Sequence, residues 1–154
     1  MINNLFYDCD NAVTMKQGNN QPNGNSAVLL NNTIVHITKT GGIDTASGAV
    51  NFDDDAVSGE GKGMYLEGNI IWDVENLTRN YDPALSQLTL NNNLLAAAPP
   101  ATASGSGNRV GDPLLNLALI SNPATATADQ VIAALKPQLC SPAIGSGPLG
   151  RNLG

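Results

Sequence analysis

Apolar and polar positions recur along this chain in a short unit, in which an apolar residue, an Asn-rich polar bend and a second apolar residue follow one another. Four copies begin at residues 2, 30, 66 and 90, which are 28, 36 and 24 residues apart. The copies are Ile2–Phe6, Leu30–Ile34, Leu66–Ile70 and Leu90–Leu94. Repeats of roughly 20–45 residues, each too small to bury its apolar face alone, are typical of solenoids, so the pattern predicts stacked coils.

The short apolar segments around these bends predict strands rather than helices. Short strands joined by one- or two-residue Asn and Gly bends suit neither a hairpin sandwich nor an alternation of strands and helices. The predicted strands cover residues 2–8, 12–16, 27–30, 33–38, 49–52, 64–66, 69–74, 85–90 and 94–97. The predicted fold class is therefore all-β, with the repeats stacked in parallel.

Parallel stacking predicts which side chains lie above one another, because equivalent positions of successive coils are about 4.8 Å apart. One inner column is predicted to hold Ile2, Leu30, Leu66 and Leu90, and a second to hold Phe6, Ile34, Ile70 and Leu94. The bend column is predicted to hold Asn4, Asn32, Gly68 and Asn92. Stacked Asn amides hydrogen-bond along such a column, and both Asn and Gly accept the left-handed backbone of a bend.

One segment near the end of the chain predicts an α-helix, over Ala128–Leu135. Thr127 is placed to cap it, and Gln130 follows three residues later, as in a capping box. Pro137 is expected to end the helix because proline lacks the backbone N–H group.

The length of 154 residues predicts a single domain with three parts. Residues 1–98 are predicted to form the coils, 99–110 a flexible loop rich in Pro, Ala, Gly and Ser, and 111–154 a closing tail with the short helix. Cys9 and Cys140 lie far apart in the sequence and are predicted to be unpaired, since a disulfide needs Cα atoms within about 7 Å.

The charge pattern excludes one class of partner. The net charge is −6, and the seven basic residues occur singly rather than in a stripe, which argues against nucleic acid. No apolar run approaches the 18 or so residues of a membrane span, and no basic-then-apolar signal peptide opens this segment.

An acidic, Gly-rich stretch is the candidate metal site. It contains Asp53, Asp54, Asp55 and Glu60. Calcium prefers six to eight oxygen ligands, and clustered carboxylates supply several of them, so calcium is the single candidate cofactor. The alternative is a solvated loop, because the run lacks the spaced pattern of a dedicated calcium loop.

His36 and Trp72 are the candidate ligand-binding residues. They are predicted to share an outward-facing column with Asp8 and Ala96, so that the two rings form a platform on which a sugar stacks. The alternative is an exposed pair on a sheet face. With one histidine in the chain, zinc chemistry is not expected.

The catalytic residues of any enzyme activity are unknown from the sequence. Paired carboxylates serve glycoside hydrolysis, and Asp44, Asp73 and Glu75 are the candidates for such a pair. Nothing in the sequence fixes their separation.

The tail carries the most specific motif in the chain. Its segments are Gly111–Asn116 (GDPLLN), Leu135–Pro137 (LKP) and Cys140–Gly147 (CSPAIGSG). They resemble the "GDPLF…L.PGSPAIDAG" ending common in bacterial β-helix proteins, except that Cys140 replaces a usual Gly and Gly145 a common Asp. With the repeats, the chain resembles the C-terminal part of right-handed parallel β-helix proteins of the pectin-lyase-like superfamily.

This resemblance implies a right-handed parallel β-helix of about four to five coils. It leaves the function open, because the superfamily includes lyases, hydrolases, epimerases and non-catalytic modules. Its lyases combine calcium with a basic residue, a role for which Lys39, Lys62 and Arg79 are the candidates here.

Together these features favour a non-catalytic structural or carbohydrate-contacting module with a polysaccharide as its partner. The chain is expected to be a fragment of a larger bacterial protein that is secreted or held at the cell surface. One alternative is the remnant of a polysaccharide lyase or glycoside hydrolase. Another is a self-associating solenoid that forms a homo-oligomer through the exposed N-terminal coil, residues 2–16.

Overall fold

The structure is a computed structural model that describes residues 1–15, 25–38, 46–52 and 61–154. Within these ranges the chain forms eleven strands and one α-helix. The strands are β1 Leu5–Tyr7, β2 Asn11–Met15, β3 Asn25–Leu30, β4 Thr33–Ile37, β5 Gly48–Phe52, β6 Gly61–Glu67, β7 Ile70–Val74, β8 Thr78–Arg79, β9 Leu88–Asn91, β10 Leu94–Leu95 and β11 Arg109–Val110. The helix, α1, spans Ala128–Leu135.

The strands form three sheets in which every pairing is parallel. The strand orders are β1-β4-β7-β10-β11, β2-β5-β8 and β3-β6-β9. Each of the strands β1 to β7 pairs with the strand three places further along the chain, so the chain visits the three sheets in turn, and β11 pairs with β10. The predicted all-β class and parallel neighbours are confirmed: the fold is largely β, with parallel sheets and one α-helix.

The register of the second repeat differs by one residue from the prediction. Leu29, rather than Leu30, lies opposite Leu66, and Leu30 lies opposite Glu67. A slip of one residue sends each side chain to the other face of its sheet. The predicted inner positions of Ile2 and Leu30 are therefore wrong, and Ile2 is 60% exposed.

The second predicted column is also divided by this slip. Ile34 lies opposite Ile71, and Ile70 instead lies opposite Thr33. Both Ile70 and Ile71 are buried, but they face opposite sides of the sheet and belong to different apolar clusters. The prediction that Phe6, Ile34, Ile70 and Leu94 share one column is wrong, and the column is Phe6, Ile34, Ile71 and Leu95.

The main core draws side chains from all three sheets. Its buried members are Val13, Met15, Leu29, Ile34, Ile37, Ala49, Val50, Phe52, Met64, Leu66, Ile71, Leu88, Leu90 and Leu95. Full burial of one such aliphatic side chain contributes about 1.5–3 kcal/mol. Aliphatic side chains supply nearly all of this apolar burial, as expected for a chain that is only 4% aromatic.

The Asn-rich bends contain two columns where the sequence suggests one. Left-handed backbone occurs at Asn3, Asn31, Gly68, Asn92 and Gly107. The next residue in each repeat forms a ladder of stacked amides, which we call the Asn ladder: Asn4, Asn32, Asn69, Asn93 and Asn108. The predicted bend column mixed the two sets, because it aligned Asn4 and Asn32 with Gly68 and Asn92.

Each step of the Asn ladder has the same hydrogen bonds. The backbone N–H of Asn32 donates to Oδ1 of Asn69 at 2.8 Å, and its Nδ2 donates to the same oxygen at 3.0 Å. Asn69 donates in the same way to Oδ1 of Asn93, at 2.9 Å for both bonds. The three central members are fully buried, so these bonds satisfy groups that water does not reach.

The tail packs against the outer face of the largest sheet. Ala143 and Leu153 are buried against Ile70 and Leu94, and the backbone N–H of Gly154 donates to the carbonyl of Gly68 at 3.0 Å. The predicted helix is confirmed, with its Thr127–Gln130 capping box. Its residues Ile132 and Leu135 line a groove of about 270 Å³ together with Leu5, Thr33 and Gly154.

Part of the segment predicted as a flexible loop adds a fifth repeat. The Ser104 N–H donates to the Leu88 carbonyl at 2.9 Å, Asn108 ends the Asn ladder, and β11 follows. The mobility of residues 99–110 stays a prediction.

Candidate functional site

A second bend brings three chemically active side chains into one column on the surface. Asp8 directly follows the last residue of β1. His36 and Asp73 lie inside β4 and β7, between the paired residues Val35–Trp72 and Ile37–Val74. All three have left-handed backbone, with φ of 55°, 58° and 52°. Asn, Asp and His are the non-glycine residues most enriched in that conformation, so the bend itself favours these residue types.

His36 lies between the two carboxylates of this column. Its Nδ1 is 2.7 Å from Oδ2 of Asp73, and its Nε2 is 3.9 Å from Oδ1 of Asp8. A carboxylate only accepts, so the short contact is a hydrogen bond that Nδ1–H donates to Asp73. The side chains are 34%, 43% and 27% exposed for His36, Asp73 and Asp8, so solvent screens both contacts and each contributes at most about 1 kcal/mol.

Tyr7 provides an aromatic wall beside this column. Its ring stacks on the imidazole of His36, with centroids 5.7 Å apart and planes inclined by 26°. Burial, and to a lesser extent the negative charges of Asp8 and Asp73, raises the pKa of the Tyr7 hydroxyl above its ordinary value. The phenol therefore stays protonated and able to donate a hydrogen bond throughout the neutral pH range. We call Tyr7, Asp8, His36 and Asp73 the His36 cluster.

Trp72 lies in the neighbouring column rather than in that of His36. Its strand partner is Val35. Its ring packs against the apolar cluster that Ala143 and Leu153 of the tail form with Ile70 and Leu94. The predicted column of Asp8, His36, Trp72 and Ala96 is wrong by one residue, for the same register reason as in the core. Among the described residues the ring that stacks on His36 is Tyr7, and a sugar platform formed by His36 and Trp72 stays a prediction.

The candidate calcium ligands Asp53, Asp54, Asp55 and Glu60 lie outside the described residues. Within the described ranges, no three His, Cys, Asp or Glu side chains are arranged to hold a metal ion. The His36 cluster illustrates the reason, because Asp8 and Asp73 approach opposite nitrogens of the ring and do not converge on one point.

The carboxylates suggested for a hydrolytic pair have different surroundings. Asp73 belongs to the His36 cluster, whereas Oε2 of Glu75 accepts hydrogen bonds from the backbone N–H of Ser47 at 2.9 Å and from its Oγ at 2.7 Å. Since Ser47 is fully buried, Glu75 fixes a corner of the fold. Asp44 and Lys39 lie outside the described residues, as does the side chain of Lys62.

The two cysteines are unpaired, as predicted. Cys140 is exposed, and Cys9 is half-buried next to the His36 cluster. Burial, followed by the charges of Asp8 and Asp10, raises the pKa of the Cys9 thiol. Because the thiolate is the reactive form, Cys9 is a poor nucleophile.

Sequence reasoning placed Asp8 in the column of His36 but missed Tyr7 and Asp73, although a signal for Asp73 is present. Asp8, His36 and Asp73 each stand four residues after a member of the Asn ladder, Asn4, Asn32 and Asn69. Aligning the repeats on the ladder, rather than on the apolar residue before it, places these three side chains together.

Comparison with known proteins finds no family model, curated protein or solved structure that matches this chain. In the part of the chain that the structure describes, no helix has the length and apolar character needed to cross a bilayer.

Proposed function

We propose that the chain is a non-catalytic, carbohydrate-contacting module built as a right-handed parallel β-helix of the pectin-lyase-like kind. The pairing of each strand from β1 to β7 with the one three places later supports this winding, since a chain that circles three faces produces that order. The Asn ladder and the tail motif add to this support. In this proposal the module is part of a larger bacterial protein, secreted or at the cell surface.

The His36 cluster is the observation on which the carbohydrate proposal depends. The Tyr7 ring and the imidazole offer stacked aromatic surface to the C–H groups of a sugar. The carboxylates of Asp8 and Asp73, both partly exposed, accept hydrogen bonds from its hydroxyl groups. Small-molecule sites usually combine apolar or aromatic surface with a small number of polar groups, as this cluster does.

The charge of this site selects among glycans. Two carboxylates flank one imidazole, and the whole chain has a net charge of −6. An acidic polymer such as a polyuronate would meet like charges at this surface, a contact that is unfavourable. The proposed ligand is therefore a neutral polysaccharide.

Binding of soluble neutral polysaccharides, measured by affinity electrophoresis and calorimetry, tests the proposal. We expect His36→Ala and Tyr7→Leu each to weaken binding about tenfold, which corresponds to 1.4 kcal/mol. Tyr81→Leu is the matched control, since the Tyr81 ring packs at a tilt against Phe52 of the main core rather than in the His36 cluster, and the variant should leave binding unchanged. Equal affinity for all three variants, or no binding to any neutral glycan, would rule the proposal out.

One observation favours the alternative of a lyase or hydrolase remnant. The 2.7 Å contact between His36 and Asp73 resembles a general base held in position by a carboxylate. Product release from polygalacturonate and from neutral glycans, with and without calcium, tests this alternative. Activity that disappears in Asp73→Asn would establish it, and its loss in Asp53→Ala, Asp54→Ala and Asp55→Ala variants would add a calcium role. Absence of products from every polymer would reject it.

A further inference from the structure

The outer face of the sheet formed by β3, β6 and β9 holds an open groove of about 260 Å³. Met64 and Leu66 of β6 are buried in the main core, so the alternate residues Tyr65 and Glu67 point outward. Tyr65 lines the groove and is partly exposed. Because β6 has a paired strand on each side, the described sheet itself determines the surroundings of this ring.

Small side chains continue the row of Tyr65 across the sheet. Val28 of β3 lies opposite Tyr65 on one side, and Thr89 of β9 lies opposite it on the other. Ser104 extends the row beyond Thr89, and Oγ1 of Thr89 is 2.8 Å from Oγ of Ser104, so one hydroxyl donates to the other. A hydroxyl oxygen has two lone pairs, so this pair keeps acceptor sites for a ligand. The row therefore combines apolar surface with neutral hydrogen-bonding groups.

The Tyr65 ring is held in place through its own hydroxyl group. The hydroxyl donates to Oε2 of Glu67 at 2.8 Å and accepts from Nδ2 of Asn91 at 3.1 Å. Oδ1 of Asn91 in turn accepts the backbone N–H of Ser106 at 2.9 Å, so this amide is fixed as well. Binding to a side chain that is already ordered costs less entropy than binding to a mobile one. The ring is thus a preformed flat surface on the outside of the sheet.

We propose that this groove, which we call the Tyr65 groove, is a second carbohydrate-contacting surface that takes a sugar unit of a neutral polysaccharide. The ring offers its face to sugar C–H groups, while the Thr89–Ser104 pair and the exposed amide of Gln87 offer partners for sugar hydroxyls. The volume lies below the roughly 300–1,000 Å³ of pockets for drug-sized ligands, which suits one small unit of a polymer.

The charges around the Tyr65 groove favour a neutral ligand over an acidic one. In the described part of the chain, the residues that line the groove are all uncharged. The carboxylate of Glu67, which accepts the Tyr65 hydroxyl, is the adjacent charge and would repel an anion.

The tail separates the Tyr65 groove from the His36 cluster. Tyr65 stands four residues before Asn69 of the Asn ladder, and Asp73 stands four residues after it, on the neighbouring sheet. Between Asn69 and Asp73 the outer face of that sheet is covered, because Ile70 is buried against Leu153 of the tail. A glycan chain therefore has no uncovered path along this face from one surface to the other. One protein molecule would bind two separate polysaccharide chains, a consequence that rests on the proposed function of the His36 cluster.

Calorimetric titration with neutral trisaccharides of glucose, mannose and galactose tests the proposal through the number of binding sites. We expect two sites on the wild type, one on Tyr65→Leu, one on His36→Ala and none on the double variant. Loss of the ring should weaken binding at the Tyr65 groove about tenfold, so that only the other site fills at concentrations that fill both in the wild type.

Tyr65→Phe is the matched control, because it keeps the ring and loses only the hydroxyl that anchors it, so both sites should remain. Thr89→Arg, which places a long side chain in the groove from the solvent side, replaces Tyr65→Leu if circular dichroism shows that variant to be unfolded.

Light scattering with the corresponding long polysaccharide tests the bridging of two chains. A molecule with two sites cross-links a polymer, whereas a molecule with one site only coats it. Scattering should therefore rise with the wild type and Tyr65→Phe and stay low with Tyr65→Leu and with His36→Ala.

The variants distinguish failure of this proposal from failure of the proposed function. A single site that disappears in His36→Ala and is unchanged in Tyr65→Leu would overturn the Tyr65 groove and leave the His36 cluster as the glycan site. A single site that disappears in Tyr65→Leu and is unchanged in His36→Ala would support the Tyr65 groove and contradict the role of the His36 cluster. Absence of binding to every trisaccharide would overturn both.

Discussion

Each of the first three repeats has two bends that solve the same backbone problem with different side chains. At the first bend, left-handed residues such as Asn31 and Gly68 precede the buried Asn ladder. At the second bend, left-handed Asp8, His36 and Asp73 are partly exposed to solvent. The buried amides of the first bend are satisfied by one another and by backbone carbonyls, whereas the charged groups of the second retain capacity to bind other molecules. Burial therefore separates a column that maintains the fold from a column that is available for function.

Replacing a central member of the Asn ladder should have the largest effect on stability. In Asn69→Leu, the backbone N–H and Nδ2 of Asn32 lose their acceptor, and the carbonyl of Leu29 loses a donor. Each buried group left unsatisfied costs about 1–3 kcal/mol, so we expect a loss of at least about 3 kcal/mol in the free energy of unfolding. Urea denaturation measures this loss.

The exposed end of the ladder offers the matched control. Asn4→Leu removes a side chain that solvent reaches and should cost about 1 kcal/mol or less. Equal losses for the two variants would contradict the view that burial gives the ladder its importance.

Adding a methyl group at the first bend should have the next largest effect. Gly68 has φ of +70°, and a Cβ there would meet Oδ1 of Asn31. We expect Gly68→Ala to lower the free energy of unfolding by about 2–3 kcal/mol, from left-handed strain plus the clash. Gly150→Ala is the control for strain alone, because Gly150 has φ of +71° and no heavy atom within 4 Å of the added Cβ. A thermal melt in which both variants lose the same stability would show that contact with Asn31 is unimportant.

Substitution at the second bend should affect the fold less. Asn accepts the left-handed backbone of His36, so His36→Asn should change the free energy of unfolding by less than about 1 kcal/mol. We expect the same variant to lose the proposed glycan binding, because it removes the imidazole that stacks on Tyr7. Comparing its urea midpoint with its glycan affinity separates the two roles. A large loss in the free energy of unfolding would show that His36 maintains the fold, as the Asn ladder does.

The smallest predicted effect is the alkaline behaviour of Tyr7. Because the fold raises the pKa of its hydroxyl, the folded state holds this proton more tightly than the unfolded state. The stabilisation is therefore complete below about pH 10, the ordinary value for tyrosine, and is lost as the pH rises through the higher folded value. Urea denaturation between pH 8 and about pH 11 should show a steeper decline for the wild type than for Tyr7→Phe. Identical slopes would contradict the raised pKa.

The sequence predicts the strand segments and their parallel stacking because the apolar positions repeat at solenoid spacing. It predicts the helix because Thr127 and Gln130 form a local capping signal, which needs no tertiary context. It does not settle the register of the second repeat. Leu29 and Leu30 are both apolar, so the alternation that normally identifies the inward face is absent at this point.

The error in the site follows from that single ambiguity. Aligned on Leu30, the repeats place Trp72 beside His36; aligned on Asn32, they place Asp73 there, as the structure does. The fifth repeat was missed because Gly105 and Gly107 give its segment the composition of a linker, and only Asn108 marks it. Contacts between side chains of separate repeats depend on register to the single residue, which composition and spacing do not provide.

The Asn ladder also shows how much the length between its members varies. Successive members are 28, 37, 24 and 15 residues apart, yet the hydrogen bonds between them are nearly the same length. Because the entropy of closing a loop rises only slowly with its length, the excursions between anchors are free to lengthen or shorten at little thermodynamic cost. The chain is thus suited to peptide grafting. A foreign peptide inserted into a segment between two members of the Asn ladder would be displayed on the surface and would leave the hydrogen bonds of the ladder in place.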